Sequence, residues 1–149
     1  MYHYAESGLD NVWLANGYTI HKTDYGEGVS IENTDALHRA IAVKIIESPA
    51  PLTGAEFRFL RVQMELSQRR VADLINADEQ SVARWEKART KPVKGAAERM
   101  IRVLAKMYLG DNGSAKQMIE RLAELDVIPS PTRVVMRERG KKWRPEVCR

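Results

Sequence analysis

The chain has 149 residues, 44% of them apolar, enough for a packed core in one ordinary domain or two small ones. No run approaches the roughly 18 apolar residues of a membrane span, and the start MYHYAESG lacks the charged and apolar regions of a signal peptide. One cysteine, Cys148, excludes a disulfide framework or a cysteine-built zinc site within one chain. The expectation is a soluble protein of the cytoplasm.

The net charge of +4 is unevenly spread. Residues 1–48 carry three Lys/Arg against seven Asp/Glu, a balance of −4. Residues 49–131 carry fourteen against eleven, and residues 132–149 seven against two, giving +3 and +5. A polyanion attracts the middle and the tail and repels the front. The front is therefore expected to lie away from any such ligand.

In chain order, residues 11–31 turn and alternate like β-structure. Asn16-Gly17 between Val12-Trp13-Leu14 and Tyr18-Thr19-Ile20 predicts a hairpin, because both turn residues accept positive φ. Gly26-Glu27-Gly28 predicts a second turn before Val29-Ser30-Ile31. Thr34 or Asn33 then caps a helix to about Glu47, with Leu37, Ile41 and Ile45 on one face. Residues 1–48 thus form a small antiparallel sheet plus helix, a module for dimerisation or for a partner. Such a module is too small to be stable alone, so it should pack on the rest of the chain or on a partner. Trp13 is expected in the core of that sheet, although Trp and Tyr residues also anchor interfaces.

Residues 49–52, with Pro49 and Pro51, read as an extended, semi-rigid linker. Thr53 and Glu56 then form a capping box opening a helix through about Glu65, with Phe57, Leu60 and Met64 inward. Ser67 is an N-cap for a helix whose apolar positions are Val71, Ala72, Leu74 and Ile75. Asn76 tolerates the left-handed conformation of a sharp corner. Asp78 caps the next helix, with Val82 and Trp85 inward and Glu79, Gln80, Ser81, Arg84 and Lys87 outward. Two helices, a tight corner and a polar outer stripe predict a helix-turn-helix. Val93–Leu109 reads as a fourth helix with Met100, Ile101, Leu104, Met107 and Tyr108 inward, and Ser114 caps a fifth through about Leu125. Pro129 and Pro131 end the helical part. Residues 129–149 form a basic tail, read either as a solvated segment or as a strand from Thr132 docked on the front module with Trp143 as anchor.

The segment LSQRRVADLINADEQSVARWEKARTKP resembles the helix-turn-helix of the XRE/Cro-like regulators, with its LSQ start, Ala at the close-packing site and Trp-Glu finish. Asn76 stands where that family usually has Gly, and Ala77 where it usually has Val. The resemblance covers residues 53–109 and implies a five-helix domain over residues 53–128. The expected fold is therefore α+β: a mainly helical XRE-type domain preceded by the small β-sheet and helix. Through YHYAESGLDNVWLANGY the front also resembles the MqsA/YgiT-like antitoxins and their regulator relatives. The usual front module of that group carries zinc on paired cysteines, which this chain lacks, and the segment resembles the zinc-free members of the wider set.

The resemblance implies a sequence-specific regulator of double-stranded DNA, a homodimeric repressor at an inverted-repeat operator that can regulate its own operon. The alternative is an antitoxin whose front module binds a toxin. Either would work in a bacterial cytoplasm, on the nucleoid when bound to its operator.

Base reading falls to Gln80 and Arg84, four apart on one helix edge, with Ser81 and Glu79 beside them. Gln bonds adenine N6 and N7, Arg forks onto guanine O6 and N7, and Glu79 either accepts from cytosine N4 or selects against phosphate. Gln68 resembles the family's phosphate-binding glutamine at a helix start. Arg69, Arg70, Lys87, Arg89, Lys91 and Lys94 are the expected phosphate clamps. Trp85 and Glu86 are expected to be structural, with Glu86 tying a nearby arginine.

Catalytic readings find little footing. His3, His21 and His38 show no HxxxH or HExxH spacing, and Gly26-Glu27-Gly28 lacks the third glycine of a phosphate loop. No metal, cofactor or catalytic residue is expected.

Overall fold

The computed structural model describes residues 1–110 and 136–145. Among them the chain is α+β, with five helices and three two-stranded antiparallel sheets. The helix expected at Ser114–Leu125, the prolines at 129 and 131, residues 132–135 and Cys148 lie outside the described residues. No described helix is long and apolar enough to cross a membrane.

Strand β1 (Tyr2–His3) pairs with β2 (Trp13–Leu14), and β3 (Tyr18–Thr23) pairs with β4 (Gly26–Ile31). This corrects both predicted turns. Asn16-Gly17 connects β2 to β3 without pairing them; the hairpin turns at Asp24-Tyr25, and Gly26 opens β4. Six paired positions in β3 and β4 supply more backbone bonds than the two-residue β2 can offer. Gly17 still takes a φ of 78°, and its carbonyl accepts a bond from Glu32 N at 2.9 Å, closing the base of that hairpin. Trp13 is not in a sheet core. It is 57% exposed and stacks on His3 with ring centres 4.4 Å apart.

Helix α1 (Thr34–Glu47) starts where expected, although Asn33 holds the N-cap position in the left-handed conformation without a side-chain capping bond. Helix α2 (Gly54–Gln63) carries the full capping box between Thr53 and Glu56. Phe57, Leu60 and Met64 are buried, as are Val71, Ala72 and Ile75 of α3 (Gln68–Ile75) and Val82 of α4 (Glu79–Lys87).

The last described helix, α5, runs Ala96–Leu109 and starts three residues later than the apolar pattern suggests. Val93 N donates to Leu52 O at 2.7 Å, and Gly95 sits at a φ of 83°, so neither residue joins the helix. Its buried stripe is Ile101, Leu104 and Ala105. Met100 and Met107 face outward, because they lie about a quarter turn from that stripe.

The packing runs across the proline linker. Leu9, Ala42 and Ile45 from the front share one apolar cluster with Leu52, Phe57, Val71, Val82 and Ile101. Arg102 straps the linker down. Its guanidinium donates to the carbonyls of Ile46 (3.0 Å), Ser48 and Ala50 (2.6 Å) while pairing with Glu98. A cation at the last carbonyls of α1 suits the helix dipole. In return Arg39 of α1 donates to Leu109 O at the end of α5, at 3.0 Å. The segment expected as a spacer is thus a fastened strap.

The C-terminal strands β5 (Met136–Arg139) and β6 (Lys142–Pro145) pair with each other. The described tail is solvent-exposed and forms a hairpin of its own rather than a strand added to the front sheets, and Trp143 is 67% exposed rather than an anchor.

Candidate nucleic-acid interface

The elements expected to carry an interface are α3, α4 and the corner between them. Ser67 caps α3, its hydroxyl accepting from Arg70 N at 3.0 Å. Asn76 ends α3 at φ 56° and ψ 51°, the left-handed corner that Asn tolerates better than most residues. Asp78 holds the N-cap position of α4, but its side chain makes no capping bond.

An ion pair fixes how α4 lies on α2. Arg61 Nε meets Glu86 Oε2 at 2.7 Å, and Arg61 Nη2 meets Glu86 Oε1 at 2.8 Å. The two side chains are 13% and 5% exposed, so the fork is largely shielded from water. Arg61 Nη1 also donates to Leu66 O (2.9 Å) at the entry to α3. Gln68 Nε2 donates to Glu86 Oε1 at 3.3 Å, so the same carboxylate holds the first side chain of α3. Glu86 does tie an arginine, as expected. Sequence reasoning missed which one, although Arg61 stands out as the charge on the half of α2 that faces α4.

The start of α2 meets the end of α4 at very close range. A Cβ on Gly54 would lie 1.9 Å from Trp85 O and 2.7 Å from Ala88 O. Gly54 N and Ala55 N donate to Lys91 O and Arg89 O, both at 3.0 Å, and Thr53 bridges Pro92. These orphan amides of α2 find the loop that follows α4 and hold it in place. Trp85 packs edge-on against Phe57 with ring centres 5.7 Å apart.

With its inner side anchored, α4 leaves Glu79, Gln80, Arg84 and Lys87 exposed, and Ser81 half-buried. Arg84 Nη2 donates to Ser81 Oγ at 3.0 Å, which joins two of the expected reading residues. Arg69 is exposed and Arg70 half-buried on α3, while Lys91 and Lys94 are exposed in the following segment. Lys94 lines an open cleft with Pro51, Glu98 and Arg99.

Arg89 departs from the expectation most. Its Nη2 donates to Gly8 O at 2.9 Å and to Asp10 Oδ1 at 3.1 Å. The acidic front therefore does not keep clear of the expected clamps. Gly8, at a φ of 82°, turns the chain so that Asp10 reaches the segment just past α4.

The histidines serve separate local contacts. His3 Nε2 meets Asp10 O at 2.8 Å, His21 meets Ser30 Oγ at 2.7 Å, and His38 meets the Tyr4 hydroxyl at 2.8 Å. No group of three or more His, Cys, Asp and Glu could hold a metal ion among the described residues. Burial pushes the Tyr4 hydroxyl above its ordinary range. No family model, no curated protein and no solved structure matches the chain.

Proposed function

We propose that the chain is a sequence-specific double-stranded DNA-binding regulator of the XRE/Cro-like kind, a homodimeric repressor acting at an inverted repeat. The supporting observation is the anchored pair α3 and α4. Arg61, Glu86 and Gln68 lock the inner side, and Glu79, Gln80, Arg84 and Lys87 are left outward on one short helix. Rigid support for a few outward polar side chains is what groove reading needs. One such helix reads too few base pairs to find a genomic site, and a two-fold dimer doubles the reading. This reading assigns the chain no reaction, metal or cofactor, and a place in the cytoplasm.

Selection of bound duplexes from a random pool tests it. The expected product is an inverted repeat with half-sites about 10 bp apart or a multiple of that. Recovery of no enriched sequence, or a purely monomeric protein on DNA, overturns it.

A second reading is an antitoxin that also regulates its operon. It is favoured by the apolar exposure of the front, where Trp13 is 57%, Ile20 50% and Tyr25 102% exposed. Exposed aromatics in an acidic module suit a protein partner. A toxin gene beside this one, whose product forms a complex that Trp13→Ala weakens, would support it.

A further inference from the structure

The C-terminal hairpin gathers four cations of residues 137–144 onto one face. In the β5–β6 register Arg137 is paired with Arg144 and Arg139 with Lys142, while Met136 is paired with Pro145 and Glu138 with Trp143. Side chains alternate along a strand, so the cations collect on one face and Glu138 with Trp143 on the other. All four cations are exposed. Gly140 and Lys141, both at positive φ (59° and 63°), form the two-residue turn that fits the twist of a hairpin. Residues two apart on a strand are about 7 Å apart and neighbouring strands about 5 Å apart, so the cations form a compact two-by-two grid.

We infer that this face is a second contact with duplex DNA, binding its phosphodiester groups without reading bases. The inference rests on the DNA-binding reading above and extends it to a separate element. Like charges directly across a strand pair destabilise a hairpin, and Arg139 stands directly across from Lys142 here. Against a polyanion the same repulsion disappears, because each cation gains a phosphate and releases a condensed counterion. Three of the four are arginines, whose planar fork matches phosphate oxygens. A two-stranded ribbon is also narrow enough to follow a groove about 12 Å wide. An anionic lipid surface fits less well. The other face presents Met136 and Trp143 with Glu138 among them, too little apolar surface for insertion.

The test compares the wild-type chain with the quadruple variant Arg137→Gln, Arg139→Gln, Lys142→Gln, Arg144→Gln, and with a charge-keeping triple variant, Arg137→Lys, Arg139→Lys, Arg144→Lys. Binding to the selected duplex and to random duplex is titrated against salt. The quadruple variant should lose affinity for both duplexes by the same factor. Its slope of log K against log salt should flatten by about 0.9 for each phosphate that is no longer neutralised, about 2–4 per protomer. The lysine variant should keep the slope. An unchanged slope in the quadruple variant overturns the inference, as does an equal loss in the lysine variant, which would mark shape rather than charge. It is also overturned if the quadruple variant keeps its DNA slope and instead stops co-sedimenting with phosphatidylserine vesicles. The two readings fail separately. Arg84→Ala moves the ratio of selected to random affinity, whereas the hairpin variants leave that ratio alone.

Discussion

Arg61 and Glu86 form a two-pronged ion pair, 2.7 Å and 2.8 Å, between α2 and α4, and Gln68 of α3 hangs from the same carboxylate. One side chain on each of three helices thus meets at one point behind the exposed face. The arrangement sets the angle at which α4 lies on α2 and α3.

Arg61→Ala should therefore be costly. It would leave the carboxylate of Glu86 buried without its cation, a change worth about 3–5 kcal/mol. Arg61→Met with Glu86→Leu should recover much of that stability by filling the space with apolar groups. Urea denaturation of the two variants measures the difference. Equal losses would mean that the pair does not act as a unit.

Gly54→Ala should destabilise by about 3 kcal/mol, because the new methyl has no room between the backbones of α2 and α4. The lowered midpoint in thermal unfolding should come with weaker DNA binding, since the loop after α4 must move. A stable Gly54→Ala variant would show that the close approach can relax.

Arg84→Ala should weaken binding to the selected site by about 1–3 kcal/mol per half-site and relax choice at one base pair. Gln80→Ala should do the same at a neighbouring pair. Lys87→Ala or Lys91→Ala should weaken all sequences alike. Competition titrations with single-base variants of the site give the answer.

Asp10→Asn should leave stability nearly unchanged, because its pair with Arg89 is exposed and worth about 0–1 kcal/mol. DNA binding should tighten, as a negative charge beside Arg89 is removed and only its bond to the Gly8 carbonyl remains strong. Its salt slope should steepen by about 0.9 per half-site if the guanidinium takes a phosphate. Weaker binding would mean instead that Asp10 holds Arg89 in its working position.

The Tyr2–Glu6 contact gives a pH window. The hydrogen bond from the Tyr2 hydroxyl holds the Glu6 carboxyl below its ordinary value and pushes the phenol up to about 12. A lowered carboxyl stabilises the fold above its unfolded pKa, and that contribution fades as pH falls through the folded value. A raised phenol stabilises it below its unfolded pKa of about 10, and that contribution fades as pH rises through the folded value. The contact should therefore act between roughly pH 5 and 10. Ultraviolet titration of the tyrosines, compared with Tyr2→Phe, should show the late-ionising phenol vanish.

Local signals in this chain were readable because their physics is local. The capping box at Thr53 and Glu56, the cap at Ser67 and the corner at Asn76 each depend on residues no more than a few positions apart. The apolar stripes of α2 and α3 follow from one period. What needed the tertiary structure was every choice among partners. Asn16-Gly17 is a good hairpin turn by itself, yet β3 pairs with β4, because a six-residue partner outcompetes a two-residue one. Met100 and Met107 are as apolar as Leu104, but only packing against α1 and α2 decides which stripe of α5 is buried.

The same division holds at the candidate interface. Outward positions on α4 could be counted from the sequence, since a helix period fixes which residues share a face. That Glu86 would find Arg61, twenty-five residues back, and that Arg89 would be held by Asp10, seventy-nine residues back, could not be counted. Charge pairs across such distances carry no spacing rule, because they depend on where whole helices pack. The basic face of the last hairpin lies between these cases. No hairpin is expected there from the sequence; alternation along each strand sets Arg137 with Arg139 and Lys142 with Arg144, and the pairing of β5 with β6 puts both pairs on one side.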